Sequence, residues 1–182
     1  NGAVLKTSNA GQGNAGNVVI NAGDRVLFDT GDILSNVGSS DGTPAEGNVG
    51  SISISAKNVS LTGTENNAAQ IQAGFYSNTQ GKSGIVSIEA TDSISFDGFS
   101  TGIYASVDPN SFGNGSDIQL KARSISVTNS SGLTTSNFGE GNGGKIDINT
   151  NSLKLDRGLF FSNAFVGSGG DINLTVKNRL FL

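Results

Sequence analysis

Apolar and polar residues alternate in short stretches along the whole chain. In Gly47–Ala56 (GNVGSISISA), a Gly-x-x-Gly corner precedes Ile52, Ile54 and Ala56, which are apolar at every second position. This alternation predicts a strand with one buried face and one solvated face. The same opening recurs as GNAGNVVINA, GKSGIVSIEA, GNGSDIQLKA, GNGGKIDINT and GSGGDINLTV. Repetition of one strand opening along the chain indicates a repeat protein.

Each repeat predicts two apolar columns in its first strand. The residues expected to face inward in these columns are Val18, Ile20, Ile52, Ile54, Val86, Ile88, Ile118, Leu120, Ile146, Ile148, Ile172 and Leu174. A second and a third alternating strand follow in every repeat, and in the last repeat we expect Leu159 and Phe161 of the third strand to face inward. No helix-length segment separates these strands.

These patterns predict an all-β fold, a right-handed parallel β-helix with three short strands per coil. The repeats are 26–34 residues long, which gives about five to six coils. A β-propeller is the rival architecture, but its four-stranded blades need longer repeats. We expect residues 1–182 to be a single β-helical segment of a longer array, because neither end shows a polar capping unit.

Composition excludes several functional classes. The net charge is −4, which disfavours binding to a phosphate backbone, so we expect no nucleic-acid partner. No apolar run is long enough to span a membrane. The chain has no Cys and no His, which removes thiolate and imidazole metal ligands and the commonest general base. We therefore expect no cofactor, no metal and no enzyme activity.

Two kinds of polar motif have structural explanations. The segments Gly11–Gly16 and Gly139–Gly144 match Gly-x-Gly-x-x-Gly, but both lead into a strand, whereas a dinucleotide fingerprint opens a helix. Asp29, Asp97 and Asp156 follow the second strand of every second coil. At the strand spacing they lie ~9–10 Å apart, too far to share one ion, so we interpret them as turn-capping residues.

Outward aromatic residues are candidates for contact with a ligand or partner. Tyr104 and Phe160 lie between the expected inward residues of the third strand, so we expect both to face solvent, two coils apart. Phe75, Tyr76 and Phe112 lie in adjoining loops. Such a strip could stack on sugar rings or meet a partner surface. The alternative is that loops fold back and cover the rings.

A long insertion at residues 36–46 (NVGSSDGTPAE) adds Asp41 to the candidate contact residues. Insertions that collect at particular corners of a solenoid are the loops most free to carry contacts.

The corner phrases GNAGNVVINAG and GNVGSISISA, the Ser-rich strands NVSLTG, DSISFDG and SISVTN, and GLTTSNFGEGNGG together show a resemblance. They resemble the repeat region of filamentous-haemagglutinin-type exoproteins, especially the cyanobacterial large exoproteins. The resemblance covers essentially the whole chain. It implies two-partner secretion, a long right-handed β-helical rod, and a location at the cell surface, associated with the outer membrane of a Gram-negative-type bacterium.

The leading hypothesis from the sequence is a non-catalytic, adhesin-like structural segment that provides a rod for surface display, adhesion or cell–cell contact. Its partners would be extracellular glycans or surface proteins. One alternative is a carbohydrate-binding or carbohydrate-active β-helix. Another is a self-assembling extracellular fibre module, since exposed strand edges at the end coils can pair end to end.

Overall fold

Strands account for all the regular secondary structure of residues 2–182, the part of the chain that this computed structural model describes. In chain order they are β1 (Val4–Lys6), β2 (Val18–Asn21), β3 (Arg25–Asp29), β4 (Asp32–Leu34), β5 (Ala45–Glu46), β6 (Ile52–Thr62), β7 (Gln70–Gln72), β8 (Thr79–Gln80), β9 (Ile85–Asp97), β10 (Gly102–Tyr104), β11 (Asp117–Thr128), β12 (Gly132–Thr134), β13 (Asn137–Glu140), β14 (Ile146–Asp156), β15 (Leu159–Phe161), β16 (Ala164–Val166) and β17 (Ile172–Phe181). Among these residues every strand pairing is parallel.

Two sheets run the length of the molecule, and each strand pairs with its equivalent in the next coil. One sheet has the order β1-β4-β7-β10-β12-β15, and the other has the order β2-β6-β9-β11-β14-β17, with β3 also paired to β6. Two short pairs, β5 with β8 and β13 with β16, lie at a further side of the coil. The predicted parallel β-helix is confirmed, with about six coils.

The first two strands predicted for each coil are continuous in most of the molecule. β6, β9, β11, β14 and β17 each run through both segments, and only the first coil divides them into β2 and β3. The register shifts at a β-bulge in this long sheet, for example between Ala56 and Asn58. A bulge bends a strand while the hydrogen-bonded ladder continues on both sides of it, so the coil turns without a break in the strand.

The inward columns of the first strand form the centre of the core. Residues from Ile52 to Ile148 in these columns are buried, as is Val18, while Ile20 is partly buried and packs against the core. Ile172 and Leu174 stay in register with Ile146 and Ile148 but are 42% and 38% exposed. They lie in the final coil of the described residues, which packs against the coil of β14.

The expected orientation of the third strand in the last coil is wrong by one residue. Phe160 pairs with Leu133 and packs against the core, whereas Leu159 and Phe161 are about half exposed. The sequence Gly158–Leu159 imitates Gly132–Leu133, but the register pairs Leu159 with Gly132. The turn that precedes β15 is one residue shorter than the turn that precedes β12, so the alternation shifts and Phe160 turns inward.

The corner glycines permit close approach of neighbouring coils. A Cβ atom on Gly47 would overlap the carbonyl oxygen of Gly13, and one on Gly50 would overlap the carbonyl oxygen of Gly16. Neither Gly47 nor Gly50 has a positive φ. Contact between stacked backbones therefore explains these two glycines, whereas the equivalent of Gly47 in a later coil, Gly141, has a positive φ.

A ladder of side-chain amides joins the coils beside these glycines. Asn14 Oδ1 accepts a hydrogen bond from the backbone N–H of Asn48 at 2.8 Å, and Asn48 Oδ1 accepts one from the backbone N–H of Lys82 at 3.1 Å. Asn114 and Asn142 repeat the arrangement three coils further on. The ladder satisfies backbone donors at the bend, where strand pairing is interrupted.

Candidate functional site

The structure separates the aromatic residues that the sequence grouped together. Tyr104 and Tyr76 are half-buried and line the same surface groove. Phe75 is only 3% exposed and belongs to the core, so its predicted loop exposure is wrong. Phe112 is half exposed but lines a different depression, beside Glu46 and Gln80. Phe160 faces inward, and the residue that shares the outer column of Tyr104 is Phe161.

Phe75 is buried because a short segment after the third strand keeps the inward–outward alternation. Its backbone bridges to Val37 in the preceding coil and to Val107 in the following coil, and both of those valines are fully buried. Tyr76, which follows Phe75 in the chain, therefore faces outward.

Asp41 lies in the exposed middle of the insertion at residues 36–46 and does not line the groove. Its carboxylate accepts a hydrogen bond from the backbone N–H of Thr43 at 3.0 Å. Hydrogen bonds from the backbone and side chain of Thr43, and then from Ser39, hold the pKa of Asp41 below its ordinary value. The geometry is that of an Asx turn, which organises the loop locally.

The groove is formed by outward residues of three successive columns in neighbouring coils. Its cavity of about 280 Å³ is lined by Asn36, Gln70, Gln72, Gly74, Phe75, Tyr76, Tyr104, Ser106, Asp108 and Phe138. In the central coil the inward residues Ile103, Ala105 and Val107 are fully buried, and the alternate residues Tyr104, Ser106 and Asp108 face the groove. Equivalent residues of neighbouring coils stack along the solenoid, so we call this surface the axial groove.

Column register explains how the axial groove acquires its sides. Tyr104 pairs with Gln72 of the preceding coil, and these two residues form one side. β-Bridges join Phe75 to Val107 and Val107 to Asn137 in three neighbouring coils. The residues that follow these three in the chain, Tyr76, Asp108 and Phe138, therefore lie side by side and form the opposite side of the groove.

Small or buried residues form the floor between the two sides. Asn36 is only 4% exposed, and a Cβ atom on Gly74 would overlap the carbonyl oxygen of Ser106. At Gly74 the floor therefore consists of backbone, because the backbones of adjacent coils are in contact there. Any larger residue at Gly74 would push the coils apart.

A relay of side-chain amides crosses the axial groove. Asn36 Oδ1 accepts a hydrogen bond from the Gly74 N–H at 2.9 Å, and Asn36 Nδ2 donates to Gln72 Oε1 at 3.1 Å. Gln72 Nε2 then donates to Gln70 Oε1 at 2.7 Å, and Gln70 Nε2 donates to the carbonyl oxygen of Ser100 at 3.0 Å. Each amide is thereby fixed in one orientation while further donor and acceptor capacity remains.

Two titratable groups of the axial groove are perturbed by burial. Burial raises the pKa of the Tyr104 phenol, and a hydrogen bond with the Ser100 side chain partly opposes this shift. Burial also raises the pKa of the Asp108 carboxyl group. Both shifts have the same physical cause, because the ionised forms lose water contacts inside the groove.

Asp97, in the column of aspartate and threonine residues at the end of the second strand, links its coil to the next one. Thr128 Oγ1 donates a hydrogen bond to Asp97 Oδ1 at 2.7 Å, and Asn129 Nδ2 donates to the same oxygen at 2.6 Å. Asp97 pairs with Thr62 in one direction and with Thr128 in the other. Within residues 2–182 no group of three or more His, Cys, Asp or Glu side chains could hold a metal ion.

Sequence reasoning missed Phe138, Asn36, Gln72 and Asp108 as groove residues. The signal for Phe138 and Asp108 is their position after a buried residue of the segment that follows the third strand, whereas Gln72 lies in β7 itself and Asn36 is buried, so neither carries this signal. Phe138 follows the buried Asn137, and Asp108 follows the buried Val107.

The described residues include no helix that is long and apolar enough to cross a membrane. Comparisons of the chain with protein-family profiles, with curated proteins and with solved structures give no match.

Proposed function

We propose that this chain is a non-catalytic, adhesin-like structural segment of a secreted cell-surface exoprotein. The observation that carries the proposal is the in-register stacking of about six parallel coils around one core. Such a solenoid holds its outer side chains in fixed columns along an extended body. A rod of this kind suits the display of contact surfaces at a distance from the cell. The corner phrases that resemble filamentous-haemagglutinin-type exoproteins support the same function.

The second candidate is carbohydrate binding, and the axial groove favours it. Aromatic rings and orienting polar groups converge there, as in sites for small polar ligands. The lining residues contribute a single carboxylate, Asp108, whereas acid–base hydrolysis of a glycoside uses a pair of carboxyl groups. The groove therefore supports binding more strongly than catalysis.

A self-assembling fibre module is a third candidate, since the edges of parallel sheets carry backbone groups that can pair with a second molecule. Sedimentation at several concentrations tests this candidate, and a monomer at all concentrations would remove it.

Surface labelling tests the leading proposal. An antibody raised against the folded segment should label intact source cells as strongly as permeabilised cells, and its Fab fragment should reduce attachment of those cells to each other or to a surface. An antibody against a cytoplasmic protein is the control, since it should label only permeabilised cells. Labelling by the segment antibody only after permeabilisation would contradict a surface rod.

A further inference from the structure

We propose that the axial groove binds a neutral glycan, with the sugar chain lying along the solenoid axis. The inference rests on the proposed adhesin-like function and names the ligand class that the rod would contact. It assigns stacking to Tyr104, Tyr76 and Phe138, and hydrogen bonding to the Asn36–Gln72–Gln70 amides, Ser106 and Asp108.

The first argument is the combination of apolar rings with polar groups. A pyranose ring has C–H groups on its faces and hydroxyl groups around its edge. The faces pack well against aromatic side chains, and the hydroxyl groups need hydrogen-bond partners once water is removed. Tyr76, Tyr104 and Phe138 supply the aromatic surface, and Phe138 is half exposed without a ligand. The polar partners lie on the floor between these rings.

The second argument is preorganisation of the polar groups. Asn36 is buried and is held at both ends of its amide, by the Gly74 N–H and by Gln72 Oε1. Gln72 is fixed in turn by Gln70 at 2.7 Å. Each of these amides keeps a second N–H, and each accepting oxygen keeps a second lone pair. Their rotamers are ordered before binding, so the ligand bears less of the entropy cost.

The third argument is charge. Asp108 is the one charged side chain among the lining residues, and no lysine or arginine accompanies it there. Its carboxylate accepts hydrogen bonds from hydroxyl groups in the stronger, charge-assisted form. The same charge repels sulfate and uronate groups, so we expect selection against anionic glycans.

The fourth argument is direction. The lining residues come from four neighbouring coils, from Asn36 in one to Phe138 three coils later. Coils of a parallel solenoid repeat every ~4.8 Å, so the groove extends ~14 Å along the axis. A cavity of about 280 Å³ is at the small end of ligand sites, which suits a short stretch of a chain. Phe161 continues the Tyr104 column beyond this cavity.

A quaternary ammonium ligand is the competing occupant, because aromatic rings beside a carboxylate attract such cations. It would use Tyr76, Tyr104 and Asp108 but would not engage the remaining N–H groups and lone pairs of the amide relay. A glycan uses both sets of groups. The structure therefore favours the glycan.

Calorimetric titration of the purified chain tests the inference. The probes are neutral hexasaccharides of glucose, mannose, galactose and N-acetylglucosamine, compared with heparin, polygalacturonate and choline. We expect saturable binding of at least one neutral hexasaccharide. Tyr104→Ala should weaken it by ~10-fold or more, since it removes a stacking partner. Asp108→Asn should weaken it by ~10-fold, since it removes a charge-assisted acceptor.

Phe112→Ala is the control, because Phe112 is an exposed aromatic residue outside the axial groove. It should bind as the wild type does, and all variants should keep the wild-type circular dichroism spectrum. Absence of binding to every neutral probe, tighter binding to choline or heparin, or an equal loss with Phe112→Ala would each overturn the site. If the purified chain binds no neutral glycan but the antibody labels intact cells, the glycan site is wrong and the proposal of a surface rod still stands. If the chain binds a neutral glycan but the antibody labels only permeabilised cells, the proposal of a surface rod is wrong and the glycan site still stands.

Discussion

Replacement of Ile88 by alanine tests the inward column of the solenoid. Ile88 lies in β9, is fully buried, and pairs with Ile54 on one side and Leu120 on the other. Both partners are themselves buried. Truncation of a buried Ile costs ~2–5 kcal/mol, and the stacked neighbours leave little room for collapse, so we expect ~3–4 kcal/mol. For a chain of this length that is a fall in Tm of ~6–16 °C.

The matched control is Ile85→Ala, the same chemical change in the same strand. Ile85 is 40% exposed and faces outward. Its truncation removes less burial and opens no cavity, so we expect ~1 kcal/mol. Thermal and urea unfolding followed by circular dichroism measures both variants. Equal losses at the two positions, or a larger loss for Ile85→Ala, would refute the assignment of inward and outward faces.

Three further changes test separate parts of the structure. Asn48→Ala removes an acceptor of the amide ladder and should cost ~0.5–1.5 kcal/mol, whereas Asn66→Ala in an exposed loop should cost less; equal urea midpoints would contradict the ladder. Phe160→Ala should cost ~2 kcal/mol and Phe161→Ala under ~1 kcal/mol, and the reverse order in thermal unfolding would contradict the register of β15. Burial raises the pKa of Asp108 in the folded protein, so the folded state binds this proton more readily than the unfolded state does. The ionised carboxylate therefore lowers the free energy of unfolding as pH rises above the ordinary pKa of an aspartate. Asp108→Asn should therefore raise Tm relative to the wild type at pH 7 and leave it nearly unchanged at pH 3, and a lower Tm at pH 7 would oppose this cause.

The coil period and the inward columns could be predicted because each depends on local spacing. Ile52 and Ile54 follow their corner at a fixed distance, and stacking repeats that relation in neighbouring coils. The third strand of the last coil could not be placed in the same way. Gly158–Leu159 imitates an earlier pair, and only the register with Gly132 shows that the preceding turn is shorter.

The axial groove was beyond the sequence pattern because it combines residues from different coils. Tyr104 was found from its position between inward residues, but Gln72 and Asp108 have ordinary polar positions in the sequence. The segment that contains Phe75 is too short to show an alternation of its own. Its burial becomes visible only when Val37 and Val107 are placed beside it.

Disulfide formation between neighbouring coils tests most directly the claim that outer side chains stack in register, on which the axial groove depends. The chain has no cysteine, so introduced pairs report without background. Ser60 and Ser95 are register partners in adjacent coils and their hydroxyl groups are hydrogen-bonded at 2.9 Å. The strand spacing of ~4.8 Å places their Cα atoms within the range that a disulfide can bridge. Ser60→Cys with Ser95→Cys should oxidise readily, whereas Ser60→Cys with Ser126→Cys, two coils and ~10 Å apart, should remain reduced. Equal oxidation of both pairs, or oxidation of the second pair alone, would contradict the stacking of the coils.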